Sequence, residues 1–386
     1  MKKIKVMSIF GTRPEAIKMA PLVKKLEAEE EIESIVCITA QHREMLDQVL
    51  DLFAITAKYD LDIMSSKQTL SGIATKVLSG LDDILQKEQP DMILVHGDTS
   101  TTFCAALSAY YHQIQVGHVE AGLRTYDKYQ PFPEEANRQL TSVLTDLHFA
   151  PTPLAKSQLL KENVSENKVF ITGNTVIDAL QHTVEEDYVF SLEALNAIDY
   201  NKERVITVTA HRRENLGEPL LEICNAIRSI VETFPDVSVV YPVHKNPLVM
   251  EPVHNILGEL ERVHLIEPLD LKDMHNLLSR SYLVMTDSGG LQEEVPSLGK
   301  PVLVLRNVTE RPEGIEAGTL RLVGTDQNTI VKATNELLTN TAMYEAMAQA
   351  KNPFGDGTAS ERIVQNILYH FGKQSQPSEE YIIKKE

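Results

Sequence analysis

A chain of 386 residues with 42% apolar and 24% charged side chains has the composition of a folded globular protein, and it is too long for one ordinary core, so two or three domains are expected. With 55 acidic against 37 basic side chains the formal net charge is -18, which disfavours nonspecific binding to nucleic acid or an anionic membrane and means that an anionic substrate needs a local basic pocket. The three cysteines, Cys37, Cys104 and Cys224, sit in apolar runs without CxxC spacing, the opening MKKIKVMSIFGTRPE breaks off at Gly11 too early for a signal peptide, and no run approaches membrane-spanning length; a cytoplasmic protein with buried free thiols is expected.

In chain order, apolar strand-like runs at residues 3–10, 32–40, 91–96, 115–119 and 147–150 are mostly separated by helix-period segments. That alternation predicts a parallel sheet covered on both faces. The first helix has a clear start, with Thr12 and Glu15 spaced as a capping box and Pro14 in the first turn. Residues 69–88 are amphipathic at helical spacing and Pro90 closes them. After an acidic, irregular stretch at 185–203 a second series begins, with strands at 204–209, 237–243, 263–266, 282–286 and 301–305. The fold class expected is α/β, two doubly wound, Rossmann-like domains with a cleft between them. Their expected bounds are 1–175, joined by a C-terminal helix at 358–371, and 176–357, with a poorly ordered polar tail at 372–386.

Residues 282–305, YLVMTDSGGLQEEVPSLGKPVLVL, read as strand, turn at Ser288-Gly289-Gly290, helix from about Leu291 to Leu298, and second strand. Two glycines at a helix start allow close backbone approach by a ligand, and a phosphate suits the first-turn N–H groups. Glu293 and Glu294 lie in the same turns, one placed to cap the helix and the other to reach a ribose hydroxyl. Taken alone, the Gly-Gly reads equally as a tight turn with Glu-rich capping.

In open parallel sheets ligands bind outside the carboxyl ends of the strands. There the chain places Arg13 and Lys18 (GTRPEAIKMAP), Asp98 (HGDTSTT), Glu120 (VEAGLRT), then Glu134, Glu135 and Arg138 (PFPEEANR). The second series adds His211, Arg212, Arg213 and Glu214 (AHRRENLG), and His244 and Lys245 (HKNP). Each singly is an ordinary solvated loop or cap. Together they predict carboxylates in the first domain facing a phosphate site in the second. Asp60-Leu-Asp62 has the DxD spacing of some metal-dependent transferases, but its apolar surroundings supply no further hard ligand. His96, His118 and Glu120 lack zinc-ligand spacing, and the histidines read as packed core groups. Neither GxGxxG after a strand nor GxxxxGK[ST] occurs, which disfavours a dehydrogenase-type dinucleotide fold and a P-loop.

GTRPEAIKMAP, VHGDTSTTF, GHVEAGLRT, PFPEEANRQL, TAHRRENLG and TDSGGLQEEVPSLGKPVLVLRNVTERPE together resemble the bacterial non-hydrolysing UDP-N-acetylglucosamine 2-epimerases, in family order over residues 11 to about 313. The resemblance implies a GT-B-like arrangement with UDP held mainly by the C-terminal domain. It implies that Asp98, Glu120, Glu134 and His211 are catalytic, and that Arg13, Lys18, Ser288, Gly289, Gly290, Glu294 and Arg311 join Asp98, Glu120 and His211 in contacting the nucleotide sugar. Two family positions that can carry Gln and Phe are here Leu269 and Met274, which leaves backbone contacts to the uracil edge. A second, activating UDP-GlcNAc site at Gln41, Gln68, Glu134, Arg212 and His244 is also implied, as is a homodimer.

The implied reaction is reversible epimerisation at carbon 2 of UDP-GlcNAc, giving UDP-ManNAc. It proceeds by anti elimination of UDP to 2-acetamidoglucal and re-addition, and supplies ManNAc units for cell-surface polysaccharide or teichoic-acid linkage synthesis. Because the carbon-2 hydrogen is not acidic, departure of UDP makes its removal feasible. The route needs a carboxylate base, an acid on the other face, and cations with helix N–H groups for the diphosphate. No nicotinamide, flavin or metal is needed, and neither nucleic acid nor membrane is a partner. Rival readings are a GT-B glycosyltransferase, a hydrolysing 2-epimerase and a catalytically silent nucleotide-sugar sensor.

Overall fold

The computed structural model describes residues 2–40, 43–64 and 68–383, with the side chains of residues 44 and 45 left aside. Its first sheet contains β1 (Ile4–Phe10), β2 (Ile32–Ile38), β3 (Tyr59–Asp60), β4 (Met92–His96), β5 (Gln115–Val119), β6 (Leu147–Ala150) and β7 (Val169–Ile171) in the order β3-β2-β1-β4-β5-β6-β7. The second contains β8 (Arg204–Thr209), β9 (Val237–Pro242), β10 (Val263–Ile266), β11 (Leu283–Thr286), β12 (Val302–Val304) and β13 (Leu320–Leu322) in the order β10-β9-β8-β11-β12-β13. All pairings are parallel. Both sheets are therefore doubly wound, as the alternation of strands and helices predicts. The strands missing from the sequence reading, β3, β7 and β13, have two or three residues each and lie at sheet edges. Runs so short carry no hydrophobic signature; pairing with a neighbour makes them strands.

The inner strands are apolar on both faces because helices cover both. In the first sheet Met7, Ile9, Ile93 and Val95 pack against helix Leu70–Glu88, whose buried Ile73, Val77, Leu81 and Leu85 recur every fourth residue. Thr69 caps that helix by accepting from Gly72 N, and Gln89 ends it in the left-handed region just before Pro90. Each fully buried leucine contributes about 1.5–3 kcal/mol relative to exposure, so Leu81→Ala alone would cost roughly 2–5 kcal/mol. In the second sheet Ile206, Val208, Val239, Tyr241 and Met285 form the core with Ile223, Ile227 and Ile230 of helix Glu218–Thr233. The three cysteines are buried and unbridged, and burial pushes Cys37 and Cys224 up to about 12 and Cys104 to about 11.

The chain divides into one compact unit of Met1–His182 with Phe354–Glu386 and another of Thr183–Pro353. It crosses at 182/183 and returns at 353/354, rather than at the expected 175/176 and 357/358. Helix Thr175–Thr183 stays with the first unit as far as His182, its buried Asp178 accepting from the N–H groups of Ala359 and Ser360, which open helix Ala359–His370. The tail also departs from expectation, since as far as Tyr381 it packs on this unit. Tyr381 N donates to Ile171 O beside the edge strand β7, Lys156 bonds Glu380 at 2.7 Å, and Asn366 holds Ser378. A sheet edge with unpaired backbone groups gives such a segment something to bond, which polar composition alone does not reveal.

In each sheet the strand order reverses beside the first strand, between β1 and β4 and between β8 and β11. The carboxyl ends of those strands are where ligand groups are to be sought.

Candidate active-site residues

In the first unit, β1 runs into the capping box of helix Arg13–Ala28, with Thr12 and Glu15 bonding reciprocally. Glu15 does more than cap. Its buried carboxylate accepts from Gly11 N at 3.1 Å and Thr12 N at 2.8 Å, and across the strand-order reversal from the Thr99 hydroxyl at 2.7 Å. Burial raises its pKa and these hydrogen bonds oppose the rise. Arg13 opens the helix, half-buried.

Asp98 and Glu120 follow the neighbouring strands β4 and β5, paired His96 to Val119, with Gly97 N donating to Val119 O at 2.9 Å. Arg138 holds Asp98 with two nitrogens on one oxygen, Nε at 2.9 Å and Nη2 at 2.8 Å, while Asn137 Nδ2 donates to the Asp98 carbonyl. Arg138 is itself anchored by buried Glu135 at 3.1 Å. Burial pushes the Glu135 carboxyl up, but donation from Thr125 N, Gln139, Tyr126 N and Arg138 outweighs it and holds the group below its ordinary range. Glu120 takes a left-handed backbone, φ 61°, that turns the chain after β5. Lys18 pairs with its carboxylate and Asn174 Nδ2 donates to it at 2.8 Å. Buried His96 stands 3.7 Å away, and burial lowers it to about 3; His118, lowered to about 4 by burial, bonds Gly97 O. Both are neutral core histidines. Glu134 opens helix Glu134–Leu144, with Oε2 buried and lacking a hydrogen-bond partner.

Asp60, of the DxD pair, is tied to Arg43, and Asp62 lies 3.8 Å from the same guanidinium. No group of three or more His, Cys, Asp or Glu able to hold a metal occurs among the described residues. Gln68 is half-buried one residue before the Thr69 cap, and Gln41 lies outside the described residues.

In the second unit the turn after β11 is built on Asp287, which accepts from His211 N and Arg212 N at 2.8 Å each. The His211 ring stacks on His244, centroids 5.2 Å apart and 5° from parallel. Helix Gly289–Glu294 starts at Ser288, which makes no side-chain cap, and tightens into a 3₁₀ turn at Val295–Leu298 around Pro296. A β-carbon on Gly289 would lie 3.8 Å from a terminal nitrogen of both Arg212 and Arg311. Two guanidiniums thus converge on an uncapped helix start, a placement suited to a phosphate. Neither glutamate caps the helix, contrary to the sequence expectation. Glu293 is buried and pairs with Arg311, and Glu294 lies 3.3 Å from Nε2 of buried His275. Leu269 and Met274 pack half-buried on apolar clusters, consistent with side chains that offer no hydrogen bond. Arg213, Glu214 and Lys245 are exposed, with Glu214 on Arg306 and Lys245 on Glu267.

The family model for UDP-N-acetylglucosamine 2-epimerase matches residues 24–368. The chain belongs to that family. It is 57% identical to the UDP-N-acetylglucosamine 2-epimerase of Bacillus subtilis, over 98% of each chain. Among solved structures it is similar to S. aureus MnaA with UDP (51% identity, TM-score 0.87, covering 99% of this chain and 100% of that one). It is likewise similar to the Neisseria meningitidis UDP-GlcNAc 2-epimerase bound to UDP-GlcNAc (51% identity, TM-score 0.85, covering 95% and 100%). The pair of doubly wound units is the GT-B-like architecture of these epimerases.

For this 2-epimerase family member, sequence reasoning missed the groups that hold the polar side chains in place. Asp287 was passed over between its strand and the Ser288-Gly289-Gly290 turn, Glu15 was read only as a cap, and Asn174 not at all. A signal existed for Asp287, an acid ending an apolar strand directly before the glycines. Asn174 gave none, because its partner Glu120 lies 54 residues away in sequence.

Proposed function

We propose that the protein interconverts UDP-GlcNAc and UDP-ManNAc without net hydrolysis, through 2-acetamidoglucal. A carboxylate takes the proton from carbon 2, the electron pair forms the carbon 1–carbon 2 double bond, and the carbon 1–oxygen bond breaks to release UDP. In the return step a proton is delivered to the opposite face of carbon 2 as a UDP oxygen rebinds carbon 1. Asp98 and Glu120 serve carbon 2 and Glu134 assists. Arg13, Lys18, Arg311, Glu294 and the Ser288-Gly289-Gly290 turn contact the nucleotide sugar, and His211 assists UDP departure. What supports the reading is the placing of two carboxylates on adjacent strand ends, each held by a cation, Asp98 by Arg138 and Glu120 by Lys18. Such fixed, oppositely assignable acids suit proton removal and return at one carbon.

The test is turnover in deuterated water followed by NMR, with UDP-GlcNAc as sole substrate. Deuterium at carbon 2 of both isomers is expected; epimerisation without exchange refutes the elimination route, and net release of free ManNAc with UDP refutes the non-hydrolysing assignment.

The reading extends to a second UDP-GlcNAc site drawing on Gln41, Gln68, Glu134, Arg212 and His244. Pure UDP-ManNAc then turns over only after a trace of UDP-GlcNAc is added, and immediate full-rate turnover would count against it. The same reading takes the enzyme as a cytoplasmic homodimer feeding ManNAc units to a surface polymer.

A further inference from the structure

Asp287 is wholly buried at the end of β11. Its Oδ2 is fully engaged by three fixed donors, the N–H groups of His211 and Arg212 at 2.8 Å each and Asn215 Nδ2 at 3.0 Å. Asn215 is in turn pinned by donating to Leu305 O at 3.0 Å. The other oxygen, Oδ1, is buried, has no hydrogen-bond partner, and stands 3.7 Å from Nδ1 of His211. A buried carboxylate oxygen without a partner is costly, so its retention calls for a use.

We infer that Asp287 is the positioning residue for His211: Oδ1 takes the ring's Nδ1–H and thereby fixes the tautomer that turns Nε2 outward. Catalytic hydrogen bonds are often long before substrate binds, and a short in-plane movement of the ring closes the remaining gap without breaking its stack on His244. The groups facing the ring are Asp287, His244 and Arg212. Burial lowers the imidazole's pKa, Asp287 opposes that, and His244 and Arg212 add to the lowering. The balance is downward, so the resting ring is neutral with its proton on Nδ1 and Nε2 bare, and the carboxylate stabilises the imidazolium formed when Nε2 takes up a proton. The inference rests on the reading of His211 as the group assisting UDP departure. In that reading Nε2 first takes up a proton from solvent and passes it to the departing diphosphate oxygen as the carbon 1–oxygen bond breaks; the ring returns to its neutral Nδ1–H form on Asp287, and re-addition of UDP reverses the transfer.

The test is nitrogen-15 NMR of the full-length, ligand-free protein labelled at histidine. The wild type should show neutral His211 as the Nδ1–H tautomer. In D287N the amide oxygen must occupy the place of Oδ2, facing two backbone N–H groups that cannot turn. The NH₂ then points at Nδ1, so the ring should switch to the Nε2–H tautomer and its pKa should fall by about one to three units. Turnover of UDP-GlcNAc should drop roughly 10²- to 10⁴-fold with UDP affinity little changed. An Nε2–H tautomer in the wild type overturns the inference, and that measurement needs no variant to fold. An unchanged tautomer and pKa in D287N overturns it as well. A tautomer switch with undiminished turnover upholds the positioning role and instead removes His211 from the proposed reaction.

Discussion

The Thr99 hydroxyl donates to Glu15 at 2.7 Å and ties the turn after β4 to the turn after β1. The two loops that meet at the strand-order reversal of the first sheet are thus fixed to one buried carboxylate, directly beside Asp98.

Replacing Glu15 separates its hydrogen bonds from its charge. In Glu15→Gln the NH₂ can face the Thr99 and Thr102 hydroxyls, which can turn, while the remaining oxygen keeps Gly11 N and Thr12 N; a loss of about 1 kcal/mol or less is expected. Glu15→Ala strands those donors and should cost roughly 2–4 kcal/mol in urea unfolding. Burial raises the wild-type pKa above its ordinary 4.5, so between 4.5 and the raised value the native state holds the extra proton. Wild-type stability relative to E15Q should fall as pH climbs through that window and level off above it.

Asp98→Asn and Glu120→Gln keep size and remove the proposed bases. Turnover should fall by about 10²–10⁴ in each, while calorimetry should find UDP affinity nearly unchanged, since neither acid is among the groups proposed to hold the diphosphate. Parallel loss of UDP binding would argue that these acids hold the nucleotide.

Arg138→Met leaves Asp98 without its clamp and Glu135 without one partner. Breaking a buried charge pair costs about 3–5 kcal/mol, read as a lowered denaturation midpoint. Arg138→Lys should recover only part of the turnover, since an ammonium cannot reproduce the guanidinium's two donors on one oxygen.

Arg311 reaches the Gly289 turn from an anchor on Glu293. A charge-assisted hydrogen bond contributes about 1.5–3 kcal/mol, so Arg311→Ala should weaken UDP about 10- to 150-fold at fixed salt while sparing uridine, which lacks the diphosphate. Equal losses for both ligands would place the arginine elsewhere on the nucleotide.

How much of this was legible beforehand follows from where the determining interactions lie along the chain. The strands β1, β2, β4, β5 and β6, the Thr12–Glu15 box and the helix after Thr69 are set by neighbours within one or two turns, and a local pattern records such forces fully. The strand-end rule brought Asp98, Glu120 and His211 to attention for the same reason, since each follows its own strand directly.

Partnerships across the fold left no such trace. Arg138 grips Asp98 from 40 residues away, Asp287 reaches His211 from 76, and the tail finds β7 across more than 200. Chain connectivity says nothing about which distant groups meet; sheet order and loop closure decide that. The amino-acid order thus fixed the strands and set Asp98 and Glu120 at their ends, and the tertiary fold alone chose Arg138 and Lys18 as their partners, because a charge taken out of water is costly unless it is paired.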